Sequence, residues 1–326
     1  MHTFSNTRVL ITGGLGFIGS NLAIRLVKEG AKVTIIDSLM PMYGGTMYNI
    51  HDIADKVRIN ISDIRDPYSI KALVKNQDIL FNLAGQTSHI DSMIDPYTDL
   101  DINCKAQLSI LEACKSNNPS IRIIFAGTRQ IYGIPQYLPV DEKHPVYPVD
   151  VNGINKIAGE WYHILYNNVY GIKACSLRLT NTIGPRMRIR DDRQTFLGIW
   201  IKNVLCGEPI EVWGGEQLRD FLYVDDCIEA LLLAAKNENT FGKVLNVGGK
   251  EPVSLQHVAE LLIEVVGEGS YIIKEYPMDR KKIDIGNYYT DNTLISDILN
   301  WKPITSLRTA LKKTIAYYKP ILNEYL

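Results

Sequence analysis

Short, nearly continuous apolar runs recur through the first half of the chain. "RVLIT" (8–12), "KVTIID" (32–37), "KVRIN" (56–60), "DILFNLA" (78–84) and "IRIIFAG" (121–127) are too short for buried helices and rich in β-branched residues, so they read as strands. A strand with one wet face alternates polar and apolar positions. These do not, which predicts a parallel sheet covered on both faces. Between them, apolar residues recur at helical spacing, most clearly over 16–30, 96–117 and 153–168. "IKACSLRL" (172–179) predicts a sixth strand and "KVLNVGG" (243–249) a seventh. Strand–helix alternation of this kind is the pattern of a doubly wound α/β fold.

After about residue 180 the texture changes. Helical patterns over 194–206, 225–236, 254–267 and 306–319 mix with short strands, "IEVWG" (210–214) and "YIIKEY" (271–276). The expected organisation is a nucleotide-binding domain over 1–180, completed by the strand near 243–249, and a smaller, discontinuous substrate lobe over 181–326.

Composition narrows the function classes. The 326 residues are 46% hydrophobic and 22% charged, as in ordinary globular chains. A net charge of -1 and a pI near 6.6 create no field that would draw nucleic acid or anionic lipid, so neither partner is expected. No apolar run approaches the roughly 20 residues that cross a bilayer, and the opening residues lack the apolar core of a signal peptide. Five scattered cysteines without metal spacing read as reduced thiols, with no metal site, in a cytoplasmic protein.

"LITGGLGFIGSNL" follows the first strand and opens the first helix. Gly13, Gly16 and Gly19 allow a tight turn, a close approach of backbone N–H groups to a pyrophosphate, and close helix–strand packing. A glycine triplet alone is weak evidence, because any tight turn can use one. Its context here is complete: strand before, helix after, and Asp37 at the end of the second strand. A carboxylate there accepts from ribose hydroxyls and repels a 2′-phosphate, which predicts NAD over NADP.

With these segments in view, the chain resembles the extended short-chain dehydrogenase/reductase family, in particular its nucleotide-sugar epimerases and dehydratases. The resemblance covers nearly the whole chain and implies a Rossmann domain followed by a sugar-nucleotide lobe. In the glycine loop it places Phe17 and Ile18 on the cofactor with the glycines. "SDIRD" (62–66) resembles the segment that holds the adenine, with Asp63 on the base and Ile64 against the ring. "NLAGQTSHIDSMIDP" (82–96) resembles the loop that passes the nicotinamide at Leu83, Ala84 and Gly85 and reaches the substrate at Ser88. "LRLTNTIGPR" (177–186) and "GGEQLRDFLYVDD" (214–226) resemble the phosphate-contact segments, with Asn181 as amide donor and Arg219 as the bidentate cation. A turn cap and a surface ion pair are the plain structural alternatives for those two.

The resemblance also implies a tyrosine four residues before a lysine, acting as general base, with a serine or threonine on the same sugar hydroxyl. Here Thr128 in "AGTRQIYG" and Lys156 in "VNGINKIAGE" match the hydroxyl and the lysine on the cofactor ribose. Asn152 stands at the tyrosine position, and an amide does not titrate near neutrality. It can orient a hydroxyl or a water, and it is expected beside Lys156, near the nicotinamide and within reach of Thr128. The acidic pair that dehydratases carry after the threonine is Arg129–Gln130 here, which argues against ordinary dehydration. Arg129 suits an acidic sugar, a phosphate or a structural pair equally well.

A replacement base must come from elsewhere. His89 and Asp91 lie in the loop that faces the sugar in the resembling fold, and histidine is the residue type whose ordinary range suits a base; Tyr132, Tyr147 and Asp150 are near in sequence but of uncertain aim. A lone loop histidine is more often structural. The expectation is an NAD-dependent epimerase working on a nucleoside-diphosphate sugar through a transient keto-sugar. The alternatives are a silent sugar-nucleotide binder with structural NAD and an atypical dehydrogenase or dehydratase. The resemblance also implies a homodimer through helices 96–117 and 153–168, where Leu108, Leu111, Ile157, Trp161 and Leu165 are compatible with an apolar shared face.

Overall fold

The computed structural model describes residues 3–326, the side chains at 279 and 280 excepted. Its strands are β1 (Arg8–Thr12), β2 (Lys32–Asp37), β3 (Arg58–Ile61), β4 (Ile79–Asn82), β5 (Arg122–Thr128), β6 (Ala174–Leu179), β7 (Asn181–Ile183), β8 (Ile210–Trp213), β9 (Leu218–Tyr223), β10 (Val244–Val247), β11 (Pro252–Ser254) and β12 (Tyr271–Lys274). The α-helices are α1 (Phe17–Lys28), α2 (Pro67–Leu73), α3 (His89–Ile94), α4 (Pro96–Leu100), α5 (Ala106–Asn117), α6 (Val151–Tyr170), α7 (Phe196–Leu205), α8 (Val224–Lys236), α9 (Leu255–Val266), α10 (Met278–Lys281), α11 (Thr293–Leu299) and α12 (Leu307–Tyr318).

Seven strands form one sheet in the order β10-β6-β5-β4-β1-β2-β3, every neighbouring pair parallel. This is the doubly wound Rossmann arrangement that the apolar runs predict. Side chains alternate across it. Val9 and Ile11 enter the core with α1, α8 and the C-terminal helices, while Leu10 enters a second core with α2 and α5. Inward of the half-exposed edge strand β3 both faces are covered, so these strands show no wet-face alternation. The strand order reverses between β1 and β4, where a ligand crevice opens at the carboxyl ends of such sheets.

Residues beyond β6 add a three-stranded sheet, β11-β9-β7, and a parallel pair, β12-β8. The first core cluster runs from Val9 through Trp200, Leu231 and Leu262 to Tyr318 without interruption. β10 returns from this region to pair with β6, in the register Val244↔Ser176.

The expected helix 96–117 differs in detail. It begins as α4, passes through one π turn at Asp101–Lys105, and continues as α5. The wider turn lets Asn103 reach two buried acceptors, Gln86 O and Asp99 Oδ2, both at 3.0 Å.

Candidate active site

Gly13 has φ of 68°, and a Cβ there would meet Ala84 Cα at 2.9 Å. A Cβ on Gly19 would meet Gly13 O at 2.2 Å. The loop therefore lies directly against the β4 exit, and α1 starts from Gly16, which has no side chain to cap the first-turn N–H groups. Such a helix start suits a pyrophosphate. Asp37, at the end of β2, accepts from Leu15 N at 3.0 Å and Leu39 N at 2.9 Å. Burial raises its carboxyl above the usual range against those two bonds.

One cavity collects Gly13, Gly16, Phe17, Ile18, Gly19, Asp37, Asp63, Ile64, Leu83, Ala84 and Gly85. These are the residues expected on the cofactor, Lys156 excepted, and the cradle fits a dinucleotide. Asp63 is clamped by Arg65, whose Nη2 donates to Oδ2 at 2.7 Å and whose backbone N–H donates to Oδ1 at 2.8 Å. Arg65 holds that carboxyl below its usual range. Lys156 stands just behind the wall at Gly85, where an added Cβ would meet Nζ at 2.7 Å. Burial pushes its pKa down to about 8, with Asp99 opposing the shift.

A second cavity of about 550 Å³ holds Ser88, His89, Arg129, Asn181 and Arg219. The two cavities adjoin: Gln194 lines both, and Thr87 and Ser88 are consecutive members of one and the other. Arg219 is buried, its Nη2 donates to Asp284 Oδ1 at 3.0 Å, and Nη1 donates to Gly286 O. Burial, with repulsion from Arg129, pushes its pKa down to about 10. Arg129 Nη2 donates to Asn181 Oδ1 at 3.0 Å, and burial pulls its pKa below the ordinary range.

The tyrosine position differs from expectation. Asn152 is only 2% exposed and lines neither cavity. Its Nδ2 donates to Gln86 O at 2.9 Å and to Asp99 Oδ2 at 3.0 Å. Asp99 is fully buried and also receives Asn155 Nδ2 at 2.8 Å and Asn103 Nδ2 at 3.0 Å. Three amide donors thus converge on the buried Asp99 side chain, and the Asn152 amide is spent on it and on Gln86. Thr128 ends β5 with its hydroxyl accepting from Gln130 N at 3.2 Å, and it too lines neither cavity. Sequence reasoning missed Asp99 and Gln86; no local spacing marks them.

His89 begins α3, and its Nδ1 lies 2.9 Å from Asp150 Oδ2. Asp150 is the N-cap of α6: Oδ1 accepts Gly153 N at 2.7 Å and Oδ2 accepts Gln130 Nε2 at 3.0 Å. Burial pushes its carboxyl up, but His89 and these donors outweigh that and hold it below the usual range. The other candidate bases fall away. Tyr132 is fully buried between Asn246 and Arg178, and Tyr147 is exposed. Asp91 faces Arg193 at 3.4 Å.

A parallel doubly wound sheet with a glycine cradle at its switch point defines a dinucleotide-binding fold, and a second cavity lined by charges of both signs adjoins the cradle. The model of the NAD dependent epimerase/dehydratase family matches residues 9–248, and the chain belongs to that family, with NAD as its cofactor. It is 31% identical to a putative UDP-glucose 4-epimerase of Methanocaldococcus jannaschii, over 95% of this chain and 98% of that one. It is also 31% identical to UDP-glucuronic acid decarboxylase 1 of Xenopus tropicalis, over 98% of this chain and 75% of that one. Among solved structures, the UDP-glucose 4-epimerase of Thermotoga maritima with UDP-glucose superposes with a TM-score of 0.88 at 28% identity, over 97% of this chain and 100% of that one. Among the described residues no helix is long and apolar enough to cross a membrane.

Proposed function

We propose that the protein is an NAD-dependent epimerase of a nucleoside-diphosphate sugar, with a transient keto-sugar between the two epimers. Its relatives act on UDP-sugars by name, and UDP is the nucleotide we assign. The observation that carries the reading is the junction of the two cavities at Thr87, Ser88 and Gln194, with His89 beside it. A sugar whose diphosphate lies against Arg219 and Asn181 would present its reacting carbon at that junction.

When bound, NAD supplies reversible hydride acceptance. The chain must move the proton of the oxidised hydroxyl. With Nδ1 lying 2.9 Å from Asp150 Oδ2, His89 keeps Nε2 for that proton, and the Asp150 carboxylate stands beside the ring that would take it up. Asp150 is a positioning residue, held by the helix start it caps. Lys156 would hold the nicotinamide ribose from behind Gly85, and Asp37 the adenosine ribose.

Asn152 favours a second reading. A tyrosine position filled by a buried amide is also what a silent sugar-nucleotide binder would show. The deciding experiment incubates the NAD-loaded protein with UDP-glucose and UDP-glucuronate and resolves epimers by chromatography. Epimer formation without net NADH, reduced about 10²–10⁴-fold in His89→Ala, is the expected outcome. Binding without turnover would leave the silent binder; turnover untouched by His89→Ala would remove histidine as the base.

A further inference from the structure

Leu15 sits between two glycines of the cradle, Gly13 and Gly16, and both of its backbone groups are taken. Its N–H donates to Asp37 Oδ2 at 3.0 Å. Its carbonyl accepts from Thr46 N at 3.1 Å and from Asn49 Nδ2 at 2.8 Å. Across the same peptide, Gly16 N donates to Gly13 O at 3.1 Å. A peptide is planar, so whatever fixes the Leu15 carbonyl also fixes the Gly16 N–H. The loop is thus gripped by Asp37 on one side and by the Thr46–Asn49 turn on the other.

Asn49 is buried, and its amide is used at both ends. Leu15 O can only accept, so Nδ2 faces the loop and Oδ1 faces away from it. Oδ1 accepts from the hydroxyl of Tyr325 at 2.7 Å, across 276 positions of chain. Tyr325 OH also lies 2.6 Å from Tyr317 OH. A hydroxyl carries one proton. Tyr325 spends its own on Asn49, so Tyr317 is the donor between the two phenols. The bonds then run one way, from Tyr317 to Tyr325, to Asn49, to Leu15. Donors in series of this kind strengthen one another.

Arg186 ties the same residues to α1. Its Nε donates to Asn49 O at 2.9 Å and its Nη1 to Asn21 Oδ1 at 2.9 Å, and its guanidinium lies 5.0 Å from the centre of the Tyr317 ring. The Tyr325 ring packs edge-on against Tyr48, next to Asn49, and against Tyr318 at the end of α12. The turn that grips the cofactor loop is therefore itself held by α12 and the residues that follow it, none of which lines the cofactor cavity. Gly16 gives α1 no side-chain cap, so the loop depends on such outside partners for its shape. A binding loop fixed before its ligand arrives avoids the cost of being ordered on binding.

We infer that Tyr325 is a positioning residue of the NAD site: its hydroxyl, acting through Asn49, holds the glycine loop in the shape that receives the pyrophosphate. This rests on NAD as the cofactor and not on the identity of the sugar. The test measures NAD affinity by calorimetry for wild type, Tyr325→Phe, Asn49→Ala and the double variant. Tyr325→Phe keeps the ring and its packing and loses only the hydroxyl; it should weaken NAD binding about threefold to tenfold. Asn49→Ala should weaken it at least as much. The double variant should bind NAD no more weakly than Asn49→Ala alone, because the hydroxyl has then lost the group through which it acts. Tyr317→Phe leaves Tyr325 its bond to Asn49 and should cost less than Tyr325→Phe. A hydroxyl that served folding alone would lower the melting temperature of Tyr325→Phe and leave NAD affinity within about twofold of wild type. That result would overturn the proposal, as would losses that multiply in the double variant. Should Asn49→Ala not fold, the two tyrosine variants decide, and a loss in Tyr317→Phe as large as in Tyr325→Phe would overturn it.

Discussion

A tyrosine at position 152 would have nowhere to go. The side chain there is closed in by Gln86, Asp99 and Ser92, the last accepting Asn152 N at 3.2 Å. A phenol would overfill the site and strip Asp99 of one donor. Asn152→Tyr should therefore lose stability, by about 1–3 kcal/mol from overpacking alone, and gain no turnover. Denaturant unfolding reads the first and the epimer assay the second; a Tyr variant as stable as wild type and faster would contradict the buried network. Lys156 carries a prediction in pH. Its pKa is about 8 in the fold against 10.5 as an ordinary lysine, so the unfolded chain binds more protons between those values. The ligand-free fold thus gains from this group as pH rises from about 8 toward 10.5. NAD affinity should move oppositely, falling as pH rises through about 8 and the ammonium that meets the ribose is lost. Calorimetry at either side of that value checks it, and a flat affinity would remove Lys156 from the ribose.

Helix α6 has three sides in use. Lys156 faces the cofactor wall, Asn152 and Asn155 face Asp99, and a third side is apolar and bare. Ile154, Trp161, Leu165 and Val169 lie on that side at helical spacing, all about half exposed or more. Leu108, Leu111 and Ile157, also expected there, pack instead inside their own chain. The proposed homodimer would bury the bare stripe against its two-fold copy. Trp161→Glu should give a monomer of unchanged fold by light scattering, and a wild type that is monomeric at micromolar concentration would dispose of the idea. Legibility followed element length. The inner sheet strands are readable because they are buried on both faces, whereas the edge strand β3 is half-exposed. β7 and β11 are three residues each and carry no period to read. α2 escaped although Asp66 caps it and Pro67 opens it, a signature that local reading could have used.

Across the molecule, the cofactor cradle was legible because its glycines, Asp37 and the strand before them are close in sequence. The polar corner was not. His89 and Asp150 are 61 positions apart, and Asp99 meets Asn152 and Asn155 from 53 and 56 positions away. Such pairings exist only once the sheet has set α3, α4 and α6 side by side. The return of β10 has a consequence for synthesis. Chains leave the ribosome from the amino end, so β6 has emerged more than sixty residues before its neighbour. Every residue of β6 is buried in the finished fold. Until Val247 is out, its backbone donors and acceptors on that side lie open to any passing strand. The intervening β7–α8 stretch therefore also acts on the timing of assembly. Its length sets how long the nascent sheet waits, one strand short, in a crowded cell.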